Sequence, residues 1–337
     1  MKSVVYPEPG LIEVVDLPDP ELAHPADVIL RVTAAGLCGS DVKSLSATKG
    51  DTTWPVGHEF VGVVEEVGTG VRDIKVGDRC FVPMFATCGH CDRCSAGEHE
   101  QCAQSAVFGS STKAFRLPGG QAEFARIPWA DHTLMVLPDE VSDDQGVMMS
   151  DILATAMTVL DKVGVRIGED LLVVGCGPVG QLVVMCAPLF GVARVFVSDI
   201  DEERQRRAVE VGGLPWPGSE ADGPPIRVGA AIDATGNPAA LRVAFDALEP
   251  MGGRLGALNV NGAEPLPFGP GEMFAKRIQL VTVMGNPYAW RSALVNLTAS
   301  SRIDPGVIVS DHVALSDAAS AYDLFTSHRA NKVILVP

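Results

Sequence analysis

From about residue 150 the chain alternates short apolar strands with helices, and one strand-to-helix turn is Gly175-Cys176-Gly177-Pro178-Val179-Gly180. Leu171 to Val174 before it is a buried-strand pattern, and the run after it to about Leu189 is an apolar helix. Strand Arg194 to Ser198, a charged helix from Asp201 to Val211, and strands Ala230 to Asp233 and Gly253 to Leu258 continue the alternation. Such alternation requires a parallel sheet with helices on both faces. In that setting the turn is a dinucleotide site. Gly175 permits the turn, Gly177 lets backbone approach a pyrophosphate, and Gly180 lets helix and strand pack closely. The helix N-terminus offers free N–H groups and a positive dipole. Asp199 ends the second strand about 20 residues on, where a carboxylate accepts hydrogen bonds from a ribose diol. It would repel a 2′-phosphate, so NAD is favoured over NADP. Arg204, Arg206 and Arg207 form a solvated helix face, and the Pro- and Gly-rich stretch 212–229 is a loop.

The first half is built differently. Val4-Val5, Ile12 to Val15, Asp27 to Val32, Phe60 to Val67 and Arg79 to Val82 are Val-rich strands, separated by Gly68, Gly70, Gly77 and Pro83. Strands so closely spaced predict a β-rich barrel or sandwich. Asp151 to Val163 has helical apolar spacing. The tail from about Pro287 holds one helix, Ser316 to Ser327, and a final strand, Lys332 to Val336.

Cysteine placement adds a metal. Of eight cysteines, Cys88, Cys91, Cys94 and Cys102 crowd into one short stretch, a spacing that aims four sulfurs at one centre. Four thiolates satisfy tetrahedral zinc with no open position, so the role is structural. Glu98, His99 and Glu100 beside them are solvated flank. A second set is sparser. Cys38 in Cys38-Gly39-Ser40-Asp41 and His58 in Gly57-His58-Glu59-Phe60 each follow a Gly-bearing turn and offer a thiolate and an imidazole to one ion. A catalytic zinc takes three protein ligands and leaves one position open. The third could be Glu59 or a more distant residue.

These parts, in this order, resemble the zinc-dependent medium-chain dehydrogenase/reductase family, the alcohol and polyol dehydrogenases. The resemblance rests on CGSD at 38–41, GHEFVGVVEEVG at 57–68, VGDRC at 76–80, the four cysteines, GGQAEF at 119–124, GCGPVG at 175–180 and DATG at 233–236. It implies an α/β chain: a GroES-like β-rich catalytic domain over 1–151 with a zinc lobe at 86–104, a Rossmann doubly wound parallel-sheet coenzyme domain over 152–286, and a return to the catalytic domain over 287–337. It makes Asp151 the third ligand of the catalytic zinc beside Cys38 and His58, with Glu59 a neighbouring acid that tunes or enters the shell. The Ser150-Asp151-Ile152-Leu153 wording is most like the formaldehyde-dehydrogenase-type branch. Ser40 matches the hydroxyl that begins the family's proton relay. Lys43 stands where a histidine commonly continues it, and can carry a proton only with a depressed pKa. Thr155 matches the residue that packs on nicotinamide, and Pro178, Val179 and Thr235 join the glycines as coenzyme contacts. Trp54 and Phe85, with Phe108 and Met284, border the substrate pocket or are ordinary core.

The expected activity is reversible hydride transfer between NAD and a secondary alcohol, polyol or modified sugar, with two zincs per chain. A formaldehyde-type aldehyde or adduct dehydrogenase is the alternative, and a non-catalytic NAD-binding protein a remote one. The net charge of −16 repels phosphate backbones and anionic lipid, so neither nucleic acid nor membrane is an expected partner. No apolar run reaches the ~18 residues of a span, and no apolar signal core precedes Pro7. The expectation is a cytoplasmic homodimer or homotetramer, joined, by resemblance, along a sheet edge near Leu280 to Gly285.

Overall fold

A computed structural model describes residues 1–47, 54–110, 117–218, 226–258 and 265–337. The chain divides into two units, residues 1–151 with 286–337, and residues 152–285.

The first unit is built on a seven-stranded sheet. Its path runs Val309–Ala314, Lys332–Val336, Val28–Gly36, Glu59–Val67, Arg79–Val82, Met135–Val136, with Phe124–Ile127 also on Val28–Gly36. All pairings are antiparallel except that of the first two strands. Val28–Gly36 is the hub. Seven of its nine residues are buried, and its β-branched and small side chains suit a strand covered on both faces. Two irregularities in its pairing with Glu59–Val67, between Ile29 and Leu30 and between Val32 and Ala34, let the strand bend. Val4, Leu30, Phe60, Val82, Ile127, Tyr322 and Val333 fill one core against it.

The second unit holds a six-stranded, wholly parallel sheet in the order Leu214–Pro215, Arg194–Ser198, Asp170–Val174, Ala230–Asp233, Arg254–Leu258, Gln279–Val283. The order reverses at Asp170–Val174, the mark of a doubly wound sheet with its ligand crevice at that point. Leu172, Phe245, Leu255 and Phe268 belong to its core, the two phenyl rings stacked at 4.1 Å.

Several elements depart from the sequence expectations. The stretch 212–229 is not all loop, since Leu214–Pro215 pairs beside Phe196 and Val197, and Trp216 packs edge-on against Phe196; residues 219–225 of it lie outside those described. The tail holds more than one helix and one strand, because helix Arg291–Ala299 and strand Val309–Ala314 precede the rest. Helix Gly39–Ala47 follows Cys38. Helix Asp143–Ser150 precedes Asp151, with Ser142 and Gln145 closing its N-terminus as a reciprocal capping box.

Candidate active site and metal centres

The four clustered cysteines form a closed tetrahedron. Sulfur separations are 3.6 Å for Cys91–Cys94 and Cys88–Cys102, 3.8 Å for Cys91–Cys102 and 4.0 Å for Cys88–Cys94. Zinc–sulfur bonds of about 2.3 Å in tetrahedral geometry demand edges of ~3.8 Å, so the cluster fits the ion. Burial pushes the Cys94 thiol up to about 12, while the backbone N–H of Cys94 draws the Cys91 thiol down to about 6. A cation is what would hold all four ionised. The flank is not simply solvated. Glu98 pairs with Arg93 and Glu100 accepts from Asn286. The half-buried His99 ring stacks on Tyr288 at 4.8 Å, and Tyr288 on His132 at 4.9 Å.

The second donor set is assembled by the seven-stranded sheet. Cys38 lies just past the hub strand, His58 and Glu59 enter the next strand, and Asp151 closes the helix Asp143–Ser150. One donor atom from each of Cys38, His58, Glu59 and Asp151 lies within 4.8 Å of every other. The 3.4 Å between His58 Nε2 and Asp151 Oδ2 is the edge expected of N and O ligands about 2.0–2.1 Å from one tetrahedral zinc. Ser40 Oγ stands 3.2 Å from Cys38 Sγ and 3.3 Å from His58 Nε2. Burial raises the Cys38 thiol, and three acidic donors converge here, a combination that a divalent cation stabilises. The donor set fits a zinc ion: a thiolate, an imidazole and two carboxylates, with the Ser40 hydroxyl beside them.

Asp41, Gln121 and Lys332 complete the setting, and no local pattern in the sequence gives any of them a role. Asp41 Oδ1 lies 3.4 Å from His58 Nδ1, which directs Nε2 inward, and Asp41 Oδ2 accepts from the Cys38 N–H at 3.0 Å. Burial disfavours the His58 imidazolium, but the Asp41 charge and bonds from Asp151 and Asp41 outweigh it and raise the ring well above its usual pKa. Lys332, 1% exposed, donates to Glu59 Oε2 and to the Leu37 carbonyl at 2.8 Å. Burial works against its charge, yet the adjacent Glu59 carboxylate holds its pKa above the ordinary lysine value. Gly36 makes room for the pair, since a Cβ there would sit 2.6 Å from Glu59 Oε2 and 3.2 Å from Lys332 Cε. No local pattern links Lys332 to Glu59, 273 residues earlier.

The remaining candidates are placed as follows. Phe85 and Phe108 are fully buried; Phe85 packs on Tyr288, whose hydroxyl donates to its carbonyl, and Phe108 meets Phe60 edge-on at 5.2 Å. Both pack into the core of the first unit. Trp54 is half-buried, and Met284 is exposed in the second unit. Lys43 is on the exposed side of helix Gly39–Ala47.

In the second unit the glycine turn is built as its residue types require. A Cβ at Gly180 would fall 1.9 Å from the Gly175 carbonyl oxygen, whereas one at Gly177 would meet nothing within 4 Å, so backbone stands open there. Pro178 and Val179 open the helix Pro178–Cys186. Asp199 Oδ2 accepts from the Cys176 N–H at 2.7 Å and Oδ1 from the Asp201 N–H at 2.9 Å. The carboxylate thus anchors the turn and keeps lone pairs for a diol. Thr235 is tied to the buried Asp233 through N–H and hydroxyl, and Thr155 lies under Gly285, whose absent Cβ would meet its Oγ1 at 2.1 Å.

Residues 24–139 match the family signature described as the alcohol dehydrogenase GroES-like domain. The whole chain is 31% identical to an uncharacterized zinc-type alcohol dehydrogenase-like protein, AdhB, of Bacillus subtilis (strain 168), with 100% of both chains covered. This chain belongs to the zinc-dependent medium-chain dehydrogenase/reductase family. It is accordingly an alcohol dehydrogenase-like oxidoreductase with a GroES-like domain and a Rossmann domain. Among solved family structures, the alcohol dehydrogenase TADH from Thermus sp. ATN1 superposes with a TM-score of 0.92 at 31% identity, covering 100% of this chain and 99% of that one. A zinc-binding dehydrogenase from Sinorhizobium meliloti 1021, bound to NADP, superposes with a TM-score of 0.86 at 25% identity, with 100% and 99% covered. No helix among the described residues is long and apolar enough to cross a membrane.

Proposed function

We propose that the protein is an NAD-dependent, two-zinc dehydrogenase that oxidises a secondary alcohol, polyol or modified sugar reversibly. The observation that carries the reading is the convergence of Cys38, His58, Glu59 and Asp151 on one point, in a chain that also bears an acid at the coenzyme turn. Cys38, His58 and Asp151 would hold the catalytic ion, and Cys88, Cys91, Cys94 and Cys102 the structural one. A zinc at the first set supplies Lewis acidity that lowers the pKa of an alcohol. The rest is done by the chain. Ser40 Oγ, beside Cys38 and His58, takes the alcohol proton and passes it outward, with Lys43 as a candidate next station. Lys332 neutralises Glu59, so that the site does not gather excess negative charge. Gly175, Gly177, Pro178, Val179 and Gly180 present backbone to a pyrophosphate, Asp199 takes the ribose diol and excludes a 2′-phosphate, and Thr155 and Thr235 bound the nicotinamide end. Hydride transfer itself is the coenzyme's chemistry.

A second reading is favoured by one ligand. Asp151 supplies a carboxylate where many alcohol dehydrogenases carry a thiolate, as in the formaldehyde-type branch. One experiment separates the readings: the zinc-loaded protein is given a panel of alcohols, polyols, sugars and formaldehyde with NAD and NADP, followed at the nicotinamide absorbance. Turnover of a secondary alcohol or polyol with NAD is expected. Turnover of formaldehyde alone selects the second reading, and activity with NADP alone refutes the assigned role of Asp199. We place the protein among homo-oligomers, with Gln279–Val283, the outer strand of the parallel sheet, as the pairing edge.

A further inference from the structure

A line of buried polar groups in the first unit runs from both ends of the chain to the metal-facing histidine. Tyr6 Oη and Tyr322 Oη are 2.5 Å apart, Tyr322 donates to Gln121 Oε1 at 2.8 Å, and Gln121 Nε2 donates to Asp41 Oδ2 at 3.1 Å. Asp41 Oδ1 then faces His58 Nδ1 at 3.4 Å. All five side chains are buried, Gln121 completely. A tyrosine hydroxyl has one proton, and that of Tyr322 is committed to Gln121, so Tyr6 is the donor in the short bond between them. Every bond therefore points the same way, toward the Asp41 carboxylate, and bonds in series polarise one another. The two ends of the Gln121 amide are distinguished by their partners, an O–H donor on one side and a carboxylate on the other, so its orientation is fixed. Gln121 cannot swing without leaving the buried Asp41 short of a donor. Resting on the metal site proposed above, the geometry points to Tyr322 and Gln121 as positioning residues that lock Asp41, and through it the His58 ring, in its ion-binding orientation.

Neither residue touches the donor set, so an ordinary structural role would leave metal affinity alone. The test compares wild type, Tyr322→Phe and Gln121→Met, the last close in length but without the amide. Each zinc-loaded protein is titrated with a chelator, retained zinc is counted by elemental analysis, and melting temperature is recorded. Cobalt replaces zinc in a parallel set for visible absorption. Partners directly behind a metal ligand are worth about 10- to 100-fold in affinity. One step further out, the catalytic-site affinity should fall roughly tenfold in both variants, with an altered cobalt spectrum and unchanged retention at the four cysteines. Wild-type affinity and spectrum in both variants, whatever the melting temperatures, would overturn the inference. If Tyr322→Phe fails to fold, Gln121→Met decides alone. His58→Ala serves as the reference and must lose one zinc. If it retains two, the metal site itself is misassigned and the inference falls with it; if it loses one while the other variants lose nothing, the inference alone fails.

Discussion

Two side chains carry more than one duty, and their substitutions separate those duties. Asp199 holds the Cys176 N–H at 2.7 Å besides its proposed part in binding the ribose diol. Asp199→Ser should therefore raise the ratio of NADP to NAD efficiency by tenfold or more, since discrimination of this kind is worth about 1.4 kcal/mol per decade. Absolute efficiency with both coenzymes should fall, because the turn loses its anchor. Initial rates with each coenzyme check this, and an unchanged ratio removes Asp199 from selectivity. Lys332 is the other case. Lys332→Met would leave Glu59 buried without a counter-charge, a loss of about 3–5 kcal/mol in similar buried pairs. Denaturant midpoints should show that loss, and the double variant Glu59→Gln with Lys332→Met should recover most of it. A single variant as stable as wild type would mean that Glu59 is neutral in the fold.

At the scale of elements, the His99–Tyr288–His132 stack ties the cysteine lobe to the segment around Tyr288. Burial, with the nearby Arg291 and His99, pushes His132 down to about 4 from its usual 6.5. Above pH 6.5 folded and unfolded chains are both neutral there and stability is flat. Between 6.5 and 4 only the unfolded chain takes the proton, so stability falls as pH falls. His132→Gln should flatten the decline of melting temperature with acidity across that window; a slope equal to wild type would refute the assignment. Which elements could be read from residues alone follows from their patterns. The Val-rich strands and the glycine turn announce themselves by period and context. The helix Asp143–Ser150 had a legible signal in Ser142 and Gln145, the capping pair. Helix Gly39–Ala47 had none, because Val42 and Leu45 alone make too thin an apolar stripe. Strand Val309–Ala314 keeps only half its residues inward, and a short alternating run is easily lost among Gly and Pro. Cys38, His58 and the four cysteines were visible through spacing. Asp151 needed the family resemblance, and Lys332, Asp41 and Gln121 owe their importance to partners far off in the chain.

Across the molecule, the two donor sets differ in kind, and that difference is measurable. The cysteine tetrahedron is complete in itself and takes the place of a core in a lobe whose buried apolar atoms are largely its own sulfurs. The set at Cys38, His58 and Asp151, in its proposed role, would leave a position open. Mild chelation should therefore strip one zinc together with activity, while the second stays until the chain unfolds; zinc counts against residual activity test this. Loss of both ions together would deny the structural role.

The order of synthesis has its own bearing on the site. Lys332–Val336 is not an outer strand; it lies between Val309–Ala314 and Val28–Gly36. The ammonium that neutralises Glu59 is thus made 273 residues after it. At elongation rates of about 5–20 residues per second the nascent chain would wait roughly a quarter-minute to a minute for that cation. Until then the Ala35–Gly36 end of the hub strand lacks its neighbour and Glu59 lacks its counter-charge, so the surroundings of Glu59 are completed only after Lys332–Val336 has docked.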